Sequence, residues 1–411
     1  MSSRPTVEPS NRQAEPSNRL AGPSSTLHSA RIASVDIIRG VVMVLMAIDH
    51  VRVYSGLPPG GPTPGIFFTR WVTHFCAPAF VFLAGTSAFL LGKKLDNRPA
   101  LSRFLLIRGA WLILLELTVI RIFWTFNFDF AHYLLAGVIW AIGWSMIVLA
   151  GLVWLPLPAI AALGALVVAG HNLLDPVVAH LNPEGPPPFW LWQVLYLGGE
   201  FPLGAGGPPL VILYVLIPWV AVMALGYAFG AVLGWEPERR RRACYAIGLS
   251  AIAAFLILRG FNLYGDPRHW EGSRMPAPLS FLNTTKYPAS LQFLLMTLGP
   301  TIAAIPLLEH ARGRVADFLA VFGRVPLFYY LLHIPLIHAL ACGVSLIREG
   351  QVNPWLFTNH PMRPGDLPDG YMWNLGLLYL VFAIAVGILY FPCRWFAGLK
   401  ARSRAAWLSY L

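Results

Sequence analysis

The chain is poor in charge. Only 12% of its 411 residues are Asp, Glu, Lys or Arg, about half the share of a soluble globular protein. With 56% apolar residues and a mean hydropathy of +0.60, that deficit excludes an ordinary cytosolic enzyme, a disordered chain and a nucleic-acid binder. No nucleic-acid partner is expected. Cysteine is scarce as well. Four cysteines, none in a C-x-x-C spacing, exclude a disulfide scaffold and a zinc knuckle. Cys76, Cys342 and Cys393 lie in or beside apolar runs and Cys244 opens one, so all four read as small buried apolar residues. The sequence lacks G-x-S-x-G, a Walker loop and a G-x-G-x-x-G before a strand, so hydrolase-elbow and nucleotide-hydrolysis readings have no support. It lacks H-E-x-x-H and any carboxylate–His helical motif, and no metal is expected. The first apolar run, near Ile32, is too long for a signal peptide and is followed by more such runs.

Those runs are what the sequence has in abundance. A hydrocarbon core of ~30 Å needs about 20 helical residues, and ten segments approach that length: 32–54, 70–92, 103–122, 131–153, 157–174, 208–233, 243–262, 289–308, 317–347 and 373–396. The fifth is the weakest. The ninth is broken by Gly323 and Pro326 and reads as a short helix leading into a span. Backbone polar groups in lipid must be satisfied internally. The expected fold is therefore all-α: a polytopic integral-membrane helical bundle of about ten transmembrane helices, nine to eleven if re-entrant segments occur. Residues 1–30, rich in Ser, Pro, Arg and Asn, read as a disordered tail. Residues 31–400 form the membrane domain, and 401–411 a C-terminal tail.

The net charge of +11 fits an excess of Lys and Arg on cytoplasmic segments. With the N-terminus inside, only nine of the thirty Lys and Arg fall outside: Arg52, Arg70, Arg121, Arg259, Arg268, Arg274, Lys286, Arg348 and Arg363. The run Arg239–Arg242 is then a topology signal, and both termini are cytoplasmic. The outer segments are rich in Gly, Pro and aromatics, and long connections in a compact bundle are often functional.

Ionisable residues inside spans cost at least about 2.5–3.5 kcal/mol each and mark functional candidates. They are Asp36, Arg39, Asp49, His50, His74, Glu116, Lys286, His333 and His338. Arg39 and His50 are eleven residues apart in the first span. At ~100° and ~1.5 Å per residue they share one helix face, ~16 Å apart along the axis. Met43 and Met46 lie between them. Asp49 sits about 80° round the helix, able to pair with Arg52 or with a neighbouring helix. This stripe suits a reaction that crosses the membrane: Arg39 holding an anionic donor near the inner end, and a histidine near the outer end as general base. His74 falls at the level of His50. His333 and His338, five residues apart, are about 140° apart on their helix and cannot form a metal pair. The loop residues His171, His180 and His360 read as solvated.

At these residues the chain resembles bacterial relatives of heparan-α-glucosaminide N-acetyltransferase, within the transmembrane acyltransferase clan. The similarity is carried by Arg31 to Gly40, by the spacing Arg39-x10-His50, and by Ala77-Pro78 to Gly85. It continues in Leu282-Asn-Thr-Thr-Lys286-Tyr287-Pro288 and in Phe322-Gly323-Arg324 to His333. The resemblance implies an acetyltransferase that moves an acetyl group from cytoplasmic acetyl-CoA, its co-substrate, to a glycan or other sugar-containing acceptor beyond the membrane. It implies a bacterial inner-membrane location, with membrane lipids as surroundings and a homodimer as one open assembly. On this resemblance Arg39, with Asp36 beside it, would contact the donor, Lys286 and His333 would line its site, and His50, with Asp49, would be catalytic. In the heparan enzyme the catalytic histidine lies in the loop after the first span. Here that loop, Ser55–Thr69, has no histidine, so His50 and His74 are the alternatives for the role. Direct transfer and an acyl-histidine intermediate are both open.

A transporter or flippase of a glycan or lipid-linked substrate would also carry intramembrane charges and broken helices. No five-plus-five internal repeat supports it. A non-catalytic partner of an envelope-assembly complex is a third reading.

Overall fold

The computed structural model describes residues 33–59, 63–178, 189–204, 206–273, 275–360, 367–403 and 408. The expected tail 1–30 and the residues His180, Arg274 and Arg363 lie outside this set, as does most of 401–411. Helix nonetheless continues to Arg402, past the expected start of the C-terminal tail.

Each of the ten apolar segments forms helix. In chain order they are α1 (Ala33–Ser55), α2 (Pro64–Leu95), α3 (Arg98–Leu115), α4 (Val138–Leu152), α5 (Leu157–Val178), α6 (Leu216–Leu233), α7 (Pro237–Gly260), α8 (Leu291–Leu308), the pair α9 (Arg314–Arg324) and α10 (Pro326–Glu349), and α11 (Leu375–Arg402). Seven of them (α2, α5, α6, α7, α8, α10 and α11) are long and apolar enough to cross a membrane. The chain is an all-α polytopic membrane protein. The other three fall short for visible reasons. Charges Asp36, Arg39, Asp49 and Arg52 crowd α1. Three arginines, Arg98, Arg103 and Arg108, interrupt α3. The 15 residues of α4 are few. Val325 ends α9 just before Pro326, because the residue before a proline is pushed out of the helical region. The break read in the ninth segment is thus real.

Two expected helical stretches are strands. Leu134–Ala136 (β1) and Pro209–Ile212 (β3) pair in parallel, and Gly199–Pro202 (β2) pairs antiparallel to β3. Pro209 biases Pro208 before it toward extended backbone. The backbone of β1 passes instead to β3, and Leu213 N–H and Tyr214 N–H continue onto Ala136 O (3.1 and 3.4 Å). The sheet aims Val138 and Tyr214, just beyond its strands, at one point inside the bundle.

Small residues let the central helices touch, as is common in membrane bundles. A Cβ on Gly85 would lie 2.1 Å from Met223 O, and one on Gly226 would lie 1.9 Å from Phe82 O, so α2 and α6 meet backbone to backbone. In the same way α1 crosses α9, with Gly40 on Leu319 O and Gly323 on Asp36 O.

The connecting segments sort to two ends. At one end Arg240 and Arg241 reach Glu309 (2.8 and 3.6 Å), joining two segments that the charge map puts on the same side. We call this the basic end. At the other, the loop end, Trp373 N–H donates to Ser55 O (2.9 Å) and Asn127 reaches Phe357 O (2.8 Å). Two buried arginines organise the loop end. Arg121 donates to the carbonyls of Tyr133, Asn127 and Asp129. Arg259 donates to those of Phe281, Arg268, Ser280 and Asn283. Each guanidinium thereby satisfies backbone acceptors that a loop beside lipid would otherwise leave bare.

Candidate active site

The last turns of α1 carry Asp49 and His50 into the bundle. Arg52 Nε donates to Asp49 Oδ1 at 2.8 Å, which fixes that carboxylate. His50 turns to α10, where its Nδ1 lies 2.6 Å from His333 Nε2 with the two rings stacked. Trp124 packs edge-on against His50 at 4.6 Å.

Hydrogen-bond chemistry assigns the protons of this pair. Nδ1 of His333 faces two backbone carbonyls of its own helix, Tyr330 O at 2.7 Å and Tyr329 O at 3.1 Å. Carbonyls only accept, so Nδ1 of His333 carries a hydrogen. A neutral His333 then has Nε2 as acceptor. His50 must donate from Nδ1, and its own Nε2 is left with a free lone pair. The fixed backbone of α10 thus dictates the tautomer of His50, as second partners commonly do for functional histidines.

His50 lines a small cavity of about 40 Å³ together with Met46, Asp49, Cys76, Val138, Tyr214 and Lys286. On this measure about 10–15 Å³ holds one water, so the space has room for a group the size of acetyl. Lys286 is 7% exposed and enters from a tight turn before α8. Asp266 ties that turn down, accepting from Thr285 N (2.7 Å), Thr285 Oγ (2.8 Å) and Ser290 Oγ (2.9 Å). His171 Nε2 bonds the turn's Ala289 O at 2.9 Å. Val138 is placed by Glu116, which sits in a π-helical turn continuing α3. Its Oε2 accepts from Ile139 N and Trp140 N (2.9 and 3.1 Å), capping α4 from a neighbouring helix by satisfying N–H groups that have no partner within α4.

The structure brings together Asp49, His50, Lys286 and, behind His50, His333. His74 is buried beside this group, edge-on to Phe293. It does not line the cavity, and neither of its ring nitrogens has a hydrogen-bond partner among the described residues. Arg39 and Asp36 lie apart, toward the basic end. There Arg39 contacts Asp36 (3.7 Å), Leu83 O (3.3 Å) and Ser87 Oγ on α2. The cavity of His50 does not reach them.

Two histidine expectations are corrected. His171 and His360 are buried, not solvated: His171 bridges carbonyls of two elements, and His360 stacks on Trp355 at 3.8 Å. Aromatic neighbours cover both: Tyr196 is edge-on to His171 at 6.1 Å and Trp355 stacks on His360. His338 bonds Phe123 O and Leu356 O (3.2 and 2.9 Å) and serves as a loop anchor. Nothing in the sequence marks Trp124, Tyr214 or Cys76 as neighbours of the site. An aromatic or a thiol in an apolar run carries no sign of the cavity it will face.

The description "Heparan-alpha-glucosaminide N-acetyltransferase, catalytic" belongs to the family whose model matches residues 31–263. That stretch is more than half of the chain and contains Arg39, Asp49, His50, His74, Glu116 and Tyr214, while Lys286 and His333 lie beyond it. No curated protein matches the chain. With a match over more than half of its length, the chain belongs to the heparan-alpha-glucosaminide N-acetyltransferase catalytic-domain family, a family of membrane acetyltransferases.

Proposed function

We propose that this protein transfers an acetyl group from acetyl-CoA, arriving at the basic end, to a hydroxyl or amine of a sugar-containing acceptor at the loop end. The observation that carries the reading is the His333–His50 relay, which leaves one imidazole nitrogen basic beside an acetyl-sized cavity. In the proposed step His50 Nε2 takes the proton of the acceptor as its oxygen or nitrogen attacks the thioester carbonyl carbon. The C–S bond then breaks and CoA leaves as its thiol, taking up a proton. Lys286 supplies positive charge where the tetrahedral oxyanion forms, and Asp49, held by Arg52, keeps the cavity's charge balanced. Arg39 and Asp36 belong to the donor's approach from the basic end. On the charge map that end is cytoplasmic, and the bacterial inner membrane is the matching location.

The test is thiol release from acetyl-CoA by purified protein with a panel of amino sugars and oligosaccharides. His50→Ala is expected to lose at least 10²–10⁴-fold in kcat, the usual contribution of a general base. His74→Ala is expected to stay within tenfold of wild type. Undiminished transfer by His50→Ala refutes the assignment. Full thiol release with no acetylated product would point to hydrolysis instead.

A further inference from the structure

A second, much larger cavity lies at the basic end. Its volume is about 850 Å³, and it opens between the end of α2, the start of α3, the end of α4, the start of α5 and the end of α6. That is within the size range of small-molecule sites, which are commonly apolar with a few placed polar groups. Its walls follow that pattern. Phe89, Leu101, Ile160, Tyr227 and Trp235 line the interior, and Gly92, Gly230 and Gly234 leave it open.

The polar groups gather on one rim. Lys93 and Arg98 line the cavity, with Lys93 Nζ 5.8 Å from the Phe89 ring. Arg239 stacks on the lining residue Trp235 at 4.1 Å. Asp96, also on the rim, offsets one of these three cations. The rim further includes the N-terminus of α3, where Asn97 caps Ala100 N and no acidic residue occupies the first turn. A helix start favours anions; this one carries Arg98 instead. The surroundings of the opening are apolar: Leu90, Trp154 and Leu155 are exposed beside it. A cavity with a cationic rim at the end of the spans and an apolar flank faces the level where lipid phosphates lie.

We propose that this cavity binds a phosphate-bearing amphiphile, with the phosphate at Lys93 and Arg98 and the apolar portion against Trp235, Tyr227 and Ile160. An anionic phospholipid from the surrounding leaflet is the occupant that the apolar flank favours. The nucleotide end of CoA shares the phosphate chemistry and is the other source. The inference does not depend on the acetyl-transfer reading.

The experiment uses the full chain in detergent and in nanodiscs. Native mass spectrometry counts retained phosphatidylglycerol against phosphatidylcholine, and equilibrium binding measures CoA separately. Three proteins are compared: wild type, Lys93→Gln/Arg98→Gln, and Ala231→Trp, which fills the cavity without removing charge. Each basic residue near a membrane surface contributes about fivefold. The double variant is therefore expected to lose about 25-fold in phosphatidylglycerol retention, with phosphatidylcholine unchanged. Ala231→Trp is expected to lose both lipids. If CoA affinity falls by the same factor and lipid retention does not, the amphiphile is the nucleotide. Phosphatidylglycerol and CoA binding both within twofold of wild type in the two variants, with thermal stability intact, would overturn the proposal.

Discussion

Helix α1 carries the same ion pair twice. Near the basic end Asp36 and Arg39 stand three residues apart and meet at 3.7 Å; near the loop end Asp49 and Arg52 repeat that spacing at 2.8 Å. Around the first pair the helices pack closely, with Gly40 and Gly323 bringing α1 and α9 into backbone contact and Arg39 bonded to Leu83 O and Ser87. Around the second pair the bundle opens into a cavity, and the neighbouring His50 is tied through only one nitrogen among the described residues. The contrast teaches that an intramembrane charge pair marks a place worth inspecting but does not by itself make a site. What separates the two ends is free space beside a group that still has a lone pair to use.

The closed end is broken most easily at its glycines. A Cβ on Gly323 would fall 1.8 Å from Asp36 O, and one on Gly40 would fall 1.9 Å from Leu319 O. Neither contact is with a flexible side chain, so α1 and α9 must separate. Overpacking in a dense core typically costs about 1–3 kcal/mol, and a clash between two backbones belongs at or above the top of that range. Gly323→Ala is expected to remove most folded protein, read as loss of the monodisperse peak in size-exclusion chromatography. A normal peak and melting temperature would show that this crossing is looser than described.

At the open end the comparison turns on His333. Replacing it with alanine removes the acceptor that fixes the His50 tautomer while leaving His50 in place. We expect kcat for acetyl transfer to fall about 10–100-fold, as for partners that orient a functional group, with KM nearly unchanged. His333→Gln offers a carbonyl oxygen to His50 Nδ1 and should recover part of the loss. A purely structural role for His333 would instead lower the melting temperature of both variants and leave the kcat of the folded fraction alone.

His360 sharpens the point from the same end. It is buried and stacked on Trp355 in a loop, and it does not line the cavity of His50. Burial pushes its imidazole down to about 3, helped by the nearby His338. The unfolded chain would titrate this group near 6.5. Between those values the unfolded state holds more protons, so stability falls as the pH drops from about 6.5 toward 3. His360→Phe keeps the stacking and removes the titration. Its melting temperature should therefore decline less steeply than that of wild type between pH 6.5 and 4.5, with kcat unchanged at pH 7.

Much of this architecture was legible in the sequence because lipid imposes one rule on every span. Ten apolar runs became helix, and the proline break before Pro326 ended α9 as expected. The strands at Leu134–Ala136 and Pro209–Ile212 were not legible. Periodicity cannot tell a short apolar strand from the start of an apolar helix, and the pairing that decides it joins residues about 75 apart. In the site, helical geometry put Arg39 and His50 on one face of α1. It said nothing of which neighbour each would meet, and α2 received one while α10 received the other. Nor did the sequence show that Glu116, conspicuous as a buried acid, would cap a different helix.

The smallest expected effect concerns Arg39, where the two ends of α1 have to be told apart functionally. If the guanidinium helps guide the anionic donor, Arg39→Gln should weaken acetyl-CoA binding by about three- to tenfold, the scale of one partly screened charge, with kcat preserved. The substitution also removes one half of the Asp36–Arg39 pair, and breaking a largely buried ion pair destabilises the fold. Asp36→Asn/Arg39→Gln separates these consequences, because it removes both charges of the pair together. Should the double variant regain stability while acetyl-CoA binding stays weak, Arg39 acts on the donor. Should affinity return together with stability, the pair only holds α1 against α2, and the basic end of this helix is scaffold for the histidine at its other end.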